Sequence, residues 1–225
     1  VIIGAGGHGL ATAYYLAKKH GITKVAVLDK GWLGGGNTGR NTTAVRSNYF
    51  YPESTRFFDH SLTLYEGLSQ ELNYNIMLSQ GGMLTLAHSR HDLEMLERWS
   101  NALQLQGVDA VMLTPEQIKA RNPAIDISDS ARYPIRGGFV QERGGVARHD
   151  AVAWGYARAC TDMGMDIIQK CEVTGVRRDG DRVAGVETTQ GSIDCGKLGV
   201  VVAGHSGVLA GMAGFRLPLE SVALQ

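Results

Sequence analysis

The stretch Val1-Ile2-Ile3-Gly4-Ala5-Gly6-Gly7-His8-Gly9-Leu10 runs an apolar segment directly into G-x-G-x-x-G, after which Leu10, Ala13, Tyr14, Leu16 and Ala17 recur at roughly helical spacing. The order is strand, tight glycine turn, helix. Gly4 permits the turn, Gly6 removes a Cβ from the path of a pyrophosphate, and Gly9 lets the helix pack against the strand. The unpaired N–H groups and positive dipole end of that helix favour an anion. A second apolar run, Val25-Ala26-Val27-Leu28, ends in Asp29, about twenty residues past Gly9, where a dinucleotide-binding unit places an acid that accepts hydrogen bonds from ribose hydroxyls. An acid there, rather than an arginine, argues against a 2′-phosphate. The chain holds 30 glycines, so the glycine pattern alone is weak; the strand, the spacing and the terminal acid give it weight. The fingerprint does not separate FAD from NAD.

Residues 31–48 bear on that choice. The segment contains Asn37, Asn41 and Asn48, Thr38, Thr42 and Thr43, five glycines, and the guanidinium groups of Arg40 and Arg46. An NAD domain normally runs through a regular helix here. A loop of small polar donors can instead wrap a second phosphate and the edge of a flavin, the alternative being a solvated glycine loop.

Composition sets outer bounds. With 225 residues, 44% of them hydrophobic, there is material for one large core or two smaller ones. The 22 basic and 22 acidic residues balance, so nothing recommends nucleic acid or an anionic membrane as a partner. No apolar run approaches a membrane span or resembles a signal peptide. Cys160, Cys171 and Cys195 lack C-x-x-C spacing and read as reduced structural thiols of a cytoplasmic protein, with no metal site. The chain begins inside a strand without a Met, and residues 218–225 read as the start of another strand, which suggests a fragment of a longer polypeptide.

From Pro52 the pattern is helical, through Phe57, Phe58, Leu62, Leu64, Tyr65 and Leu68. Residues 76–80 and 83–87 read as a hairpin about Gly81-Gly82. Residues 91–106 read as an amphipathic helix with Leu93, Leu96, Leu103 and Leu105 inward. Thr114, Pro115 and Gln117 spell a capping box ended by Asn122-Pro123. His149 or Asp150 is expected to cap a helix that runs to about Met163 and stops at Gly164. A strand over 166–176, turns at 179–181 and Gly191, and, over 198–207, a buried parallel-type strand breaking into a glycine turn that suits close approach of backbone to ligand follow. The expected fold is α/β: a Rossmann-like domain from 1–50 and 145–215 with an antiparallel excursion, and part of an α+β substrate domain from 51–144 and 216–225. Such an excursion between parallel strands is more common in FAD than in NAD domains, an argument by analogy.

Gly4-Ala5-Gly6-Gly7-His8-Gly9, Asp29-Lys30, the loop from Asn37 to Asn48, the strand around Val173 and the Val202-Ala203-Gly204 turn together resemble the D-amino-acid-oxidase-like FAD oxidoreductases, which oxidise secondary and tertiary amines. Within them the pattern is most similar to the β subunits of heterotetrameric sarcosine oxidases, through residues 7–17, 39–43 and 45–49 and the segment Arg143-Gly144-Gly145-Val146-Ala147-Arg148-His149-Asp150-Ala151-Val152-Ala153-Trp154-Gly155. The resemblance implies a non-covalent FAD held by Gly4, Gly6, Gly7, the backbone of His8, Gly9, Asp29, Lys30, Asn37, Arg40, Thr42, Ala44, Val173 and Gly204. It also implies an FMN bonded covalently to His149, with Arg148 and Asn48 on the FMN side; Arg46 fits either a flavin contact or a loop arginine satisfied by local carbonyls. The implied reaction is oxidation of sarcosine or a similar N-methyl amine, electrons passing from FAD through FMN to oxygen and folate capturing the one-carbon unit, in a complex with other sarcosine oxidase subunits. Substrate-binding and oxygen-activating groups of such proteins lie in sequence that would follow Gln225, so no catalytic residue is assigned. The alternatives are a single-flavin amine or amino-acid oxidase or dehydrogenase, a non-catalytic FAD-binding scaffold, and an NAD-linked reductase.

Overall fold

The computed structural model describes residues 1–222, and the chain divides into two compact units. The first comprises Val1–Thr42, Leu72–Ile76 and Arg148–Gln225; the second comprises Thr43–Glu71 and Met77–Ala147. The observed divisions fall after Thr42 and before Arg148, and residues 216–222 group with the glycine turn rather than with the second unit.

In the first unit, β1 (Ile2–Ile3) leads into α1 (Gly7–His20) and β2 (Ala26–Leu28). Helix α1 buries Gly9, Leu10, Ala13, Tyr14 and Ala17, the face set by its apolar spacing. Lys18, Lys19 and His20 complement its C-terminal dipole. Gly21, at φ +65°, closes it by donating to the Ala17 carbonyl at 2.9 Å.

The second unit supplies β3 (Ala44–Val45), α2 (Pro52–Glu71), β4 (Met83–Ala87), α3 (Arg90–Leu105), β5 (Ala110–Leu113), α4 (Pro115–Arg121), β6 (Gly137–Gln141) and β7 (Gly145–Val146). Strand β4 pairs antiparallel with β6, which also pairs with β5, while β3 pairs with β7. The expected hairpin about Gly81-Gly82 is therefore not formed: Ser79 bridges Val146, and β4 takes β6 as its partner. Leu105 is 90% exposed rather than inward, because Leu96 and Leu103 already seat α3 against Ala87, Val108, Ala110 and Phe139. The Thr114 capping box forms as spelled, with Pro115 in the first helical turn and Asn122 closing the helix.

The chain returns to the first unit through α5 (His149–Asp162), β8 (Asp166–Ile168), β9 (Val173–Asp179), β10 (Arg182–Thr188), β11 (Gly191–Asp194), β12 (Gly199–Val200) and α6 (Ser206–Met212). A parallel sheet in the order β12-β1-β2-β8 holds the glycine turn, and β11-β10-β9 form the antiparallel excursion. The strand expected over 166–176 is two strands. Lys170 breaks it at φ +53°, and the N–H groups of Lys170 and Cys171 bond back to the carbonyls of Gly31 and Asp29, each at 2.8 Å. Helix α5 is capped by the Arg148 backbone with no side-chain cap, and the Asp150 carboxylate instead accepts the Ala151 N–H at 2.9 Å, so neither expected capping residue fills that position. Strand β12 is parallel to β1 and gives way to a 3-10 turn at Ala203–His205, as expected, but it is only two residues long, with Val200 38% exposed rather than buried. Residues 218–222 form no strand, and 223–225 lie outside the described residues. Ile3, Leu28, Cys171, Val173, Val186 and Leu209 make the core between the two sheets of this unit.

Candidate cofactor site

Backbone chemistry builds the glycine turn. The Gly4 N–H donates to the Leu28 carbonyl at 2.7 Å, holding β1 to β2 as the chain leaves the sheet. Gly4 itself sits at φ +109°, which only glycine adopts without strain. A Cβ placed on Gly9 would collide with the Gly4 carbonyl oxygen, so Gly9 is what lets α1 descend onto the end of β1. The first turn of α1 has no intrahelical partners for its N–H groups, and those amides face the end of the parallel sheet where a phosphate is favoured.

Asp29 closes the same turn from β2. Its Oδ2 accepts the Ala5 N–H at 2.9 Å and its Oδ1 accepts the Gly31 N–H at 2.8 Å. A carboxylate offers about four lone-pair sites, so both oxygens keep capacity for ribose hydroxyls. Lys30 is exposed, with its Nζ 3.4 Å from the Nε2 of His205, which ends the 3-10 turn after β12. Gly204 packs against Ser221, whose hydroxyl donates to the Gly204 carbonyl at 2.9 Å. Val173 opens β9 at 6% exposure and packs into the core of this unit.

The loop after Asp29 is more ordered than its composition implied. Asn37–Arg40 form a 3-10 turn in which Asn37 and Arg40 are exposed. The Gly34 N–H donates to the Ala5 carbonyl at 2.9 Å, and Thr38 Oγ1 accepts the Gly7 N–H at 3.0 Å. Thr42 ends the first unit, and Ala44 lies in β3 of the second. His8 is exposed; its carbonyl accepts from the Thr12 hydroxyl at 2.7 Å.

At the start of α5, Arg148 Nε and Nη2 grip both Asp150 oxygens at 2.9 and 2.6 Å. The guanidinium beside it holds the Asp150 carboxyl below its usual range, and the carboxylate in turn raises Arg148. Three guanidinium N–H groups of Arg148 stay available to a phosphate. His149 Nδ1 is buried and has no hydrogen-bond partner. A buried ring nitrogen left unsatisfied costs about 1–3 kcal/mol, an arrangement that suits a group bonded to that ring.

Within the second unit, Asn48 is 3% exposed and its Oδ1 accepts from Arg46 Nη1 at 2.8 Å, while the Arg46 guanidinium stacks 4.5 Å from the Tyr49 ring centre. Arg46 is thus satisfied locally. Sequence reasoning missed Gln141 and Ser47, both fully buried: Ser47 donates its N–H to Gln141 Oε1 at 3.0 Å and accepts from Gln141 Nε2 at 2.7 Å. It also passed over Thr38 and over Gln169, whose Oε1 accepts the Leu33 N–H at 2.8 Å. Thr38 stands beside Asn37 in the polar loop and was open to the same reading; the other three carry no local signal. Among the described residues, no cluster of three or more His, Cys, Asp or Glu could hold a metal, and no helix is long and apolar enough to cross a membrane.

The model of the family described as FAD dependent oxidoreductase matches residues 1–225. The chain belongs to that family. As a family member it is 60% identical over 225 residues to sarcosine oxidase subunit beta of Rhodobacter capsulatus, a match covering 100% of this chain and 54% of that protein. It is 56% identical to sarcosine oxidase subunit beta of an Arthrobacter species over 100% of this chain and 56% of that protein. The chain therefore spans about half the length of these curated relatives. Among solved FAD-family folds, L-proline dehydrogenase from P. horikoshii superposes with a TM-score of 0.87 at 25% identity, covering 95% of this chain and 55% of the other. The glycine turn, Asp29 and the N-terminal end of α1 suit the FAD that the family binds.

Proposed function

We propose that this chain forms the flavin-binding part of a sarcosine oxidase β-type subunit, catalysing oxidative demethylation of sarcosine to glycine. The observation that carries the reading is the 60% identity to a sarcosine oxidase β subunit across every residue of the chain. In the reaction, a C–H bond beside the amine nitrogen and the N–H proton are lost as C–N becomes C=N, with two electrons leaving the substrate. Water then releases glycine and a one-carbon unit, which folate can capture, and oxygen takes the electrons and two protons as hydrogen peroxide.

Bound FAD supplies the two-electron acceptor, and a covalent FMN supplies the relay to oxygen. The chain's own contribution is binding and orientation. Gly4, Gly6, Gly7, His8 and Gly9 seat the pyrophosphate on α1; Asp29 and Lys30 meet the ribose; Asn37, Arg40, Thr42, Ala44, Val173 and Gly204 complete the FAD contacts. His149 carries the FMN, with Arg148 and Asn48 as further FMN contacts; the buried, unpartnered Nδ1 supports the His149 assignment. Companion subunits of the sarcosine oxidase type complete the enzyme, which works in the cytoplasm.

The experiment is a steady-state assay of the full chain with its companion subunits, measuring sarcosine-dependent peroxide together with flavin content. Peroxide formation with two flavins per β-type chain, one of them surviving acid precipitation, is the expected result. Turnover with one acid-released flavin would replace this reading by a single-flavin amine oxidase.

A further inference from the structure

Helix α5 lacks the side-chain cap that ordinarily fixes where a helix begins. Another part of the first unit takes over that task. The N–H of Arg148, the N-cap residue, donates to the Ile76 carbonyl at 3.1 Å, and the Ile76 side chain is fully buried. One residue before His149, the chain is thus tied by a backbone bond to a firmly seated segment.

That segment, Leu72–Ile76, meets α5 a second time. Asn73 turns the chain at φ +46°, a conformation asparagine adopts more readily than most residues. Leu72 and Ile76 are buried and Tyr74 partly buried, while Asn73 and Asn75 are exposed, so alternate side chains face inward. A Cβ built on Gly155 would stand 3.1 Å from both Leu72 Cδ1 and Tyr74 Cδ1. Three residues further along α5, the Arg158 guanidinium lies 5.7 Å from the centre of the Tyr74 ring. Other residues of α5 meet α1: the Tyr156 ring centre lies 5.4 and 6.1 Å from those of Tyr14 and Tyr15, and Cys160 Sγ donates to the Leu10 carbonyl at 3.6 Å.

The contacts at Arg148 and Gly155 are separated by about 10 Å along the helix axis. The first sets the position of the opening turn, and the second sets the tilt of the helix behind it.

We propose that Leu72–Ile76 is a positioning clamp for His149, holding the first turn of α5 where the imidazole meets FMN. The proposal rests on the reading of His149 as the FMN attachment point. Joining an imidazole nitrogen to a methyl carbon of the flavin releases one proton from each and puts two electrons into the flavin ring, which oxygen removes as hydrogen peroxide. The joining atoms must be held close, since about 1 Å of misplacement costs roughly a hundredfold in rate. Gly155 is glycine so that Leu72 and Tyr74 can close onto the helix.

The test uses the full chain produced with its companion subunits, following over time the fraction of His149 peptides that carry FMN, alongside the FAD released by acid. Tyr74→Ala removes the ring at Gly155 and should slow FMN attachment about tenfold while FAD content stays native. Gly155→Ala brings a methyl a few tenths of an ångström too close to Leu72 and Tyr74 and should slow attachment likewise. Tyr74→Phe keeps the ring and should restore the native rate. A native rate of attachment in either slowed variant overturns the proposal, as does a loss of FAD in equal proportion, which marks a general loss of fold rather than misplacement of His149. If Tyr74→Ala does not fold, Gly155→Ala decides by the same comparison. An unmodified His149 peptide in the native protein would remove the FMN reading itself, and the clamp's role with it, an outcome distinct from native attachment in the variants.

Discussion

Ala5 N–H and the Asp29 carboxylate are joined at 2.9 Å, and the other oxygen of that carboxylate holds Gly31 N–H at 2.8 Å. The acid at the end of β2 thus does two things: it shapes the glycine turn from below and keeps lone pairs for a ribose. Asp29→Ala should lower FAD affinity and also the melting temperature of the FAD-free chain, each lost bond contributing about 1 kcal/mol. Asp29→Asn retains one acceptor oxygen and should show a smaller loss of both. Calorimetry on the two FAD-free variants separates the roles; an unchanged melting temperature in Asp29→Ala would leave only the ribose contact.

Gly9→Ala is expected to be more damaging than its single methyl suggests. The added carbon meets the Gly4 carbonyl oxygen, a backbone atom that cannot move without displacing the turn that Gly4, at φ +109°, fixes. Overpacking of this kind costs about 1–3 kcal/mol, and the displaced turn should not retain FAD. Purification of Gly9→Ala with one FAD per chain would show that α1 can shift outward at no cost to the site. Gly6→Val should likewise lose FAD, because its branched Cβ meets the Thr38 hydroxyl.

What could be read from the sequence was what local chemistry enforces. Thr114, Pro115 and Gln117 specify a helix start among themselves, and Gly180 at φ +59° turns β9 into β10 without distant help. The glycine turn and the position of Asp29 at the end of β2 were legible for the same reason, since their geometry is set by spacing. Strand β6 was not, because it opens Gly137-Gly138, residues depleted in strands; Gly138 is needed where its missing Cβ makes room for the Thr85 carbonyl of β4. With β6 hidden, Gly81-Gly82 looked like the turn of a hairpin whose true partner lay far along the chain. Ser47 and Gln141 are 94 positions apart, so no window on the sequence could pair them.

That pair gives a stability prediction. Gln141→Leu removes two hydrogen bonds and strands the buried Ser47 N–H, while the Ser47 hydroxyl keeps its bond to Asp59 Oδ1 at 3.2 Å, so the chain should be destabilised by about 1–3 kcal/mol. Ser47→Ala removes only the hydroxyl's share and should cost less. Chemical denaturation of both variants checks the order; a Gln141→Leu chain as stable as the native one would mean that water replaces the lost partners.

Arg143 binds Glu66 through Nε and Nη2, each at 2.9 Å, and the hydrogen bond from Arg143 is the main reason the Glu66 carboxyl lies below its ordinary value of 4.5. A carboxylate with a depressed folded-state pKa stabilises above its unfolded value, and that contribution is lost as pH falls through the folded one. The second unit should therefore lose stability as pH drops below 4.5, and Glu66→Gln should flatten that limb while lowering stability at neutral pH. Urea midpoints measured across the acid range test this; parallel acid limbs in native and variant proteins would exclude Glu66 as a contributor.

His149 heads α5 with Nδ1 buried and unpartnered, between an Arg148 and an Asp150 that are bound to one another. Because that ion pair engages the flanking residues, replacing His149 removes the imidazole while leaving the backbone cap and the Ala151 bond in place. His149→Ala in the full chain should then keep FAD, whose turn is built from Gly4, Gly6, Gly9 and Asp29, and lose the covalently held FMN. Reduction of FAD by sarcosine should persist while peroxide formation slows for want of the relay. Tryptic mapping of the native protein provides the direct measurement: the peptide containing His149 should carry the mass of FMN. An unmodified His149 peptide from active, flavin-replete enzyme would refute the covalent assignment, and the buried ring nitrogen would then need another partner.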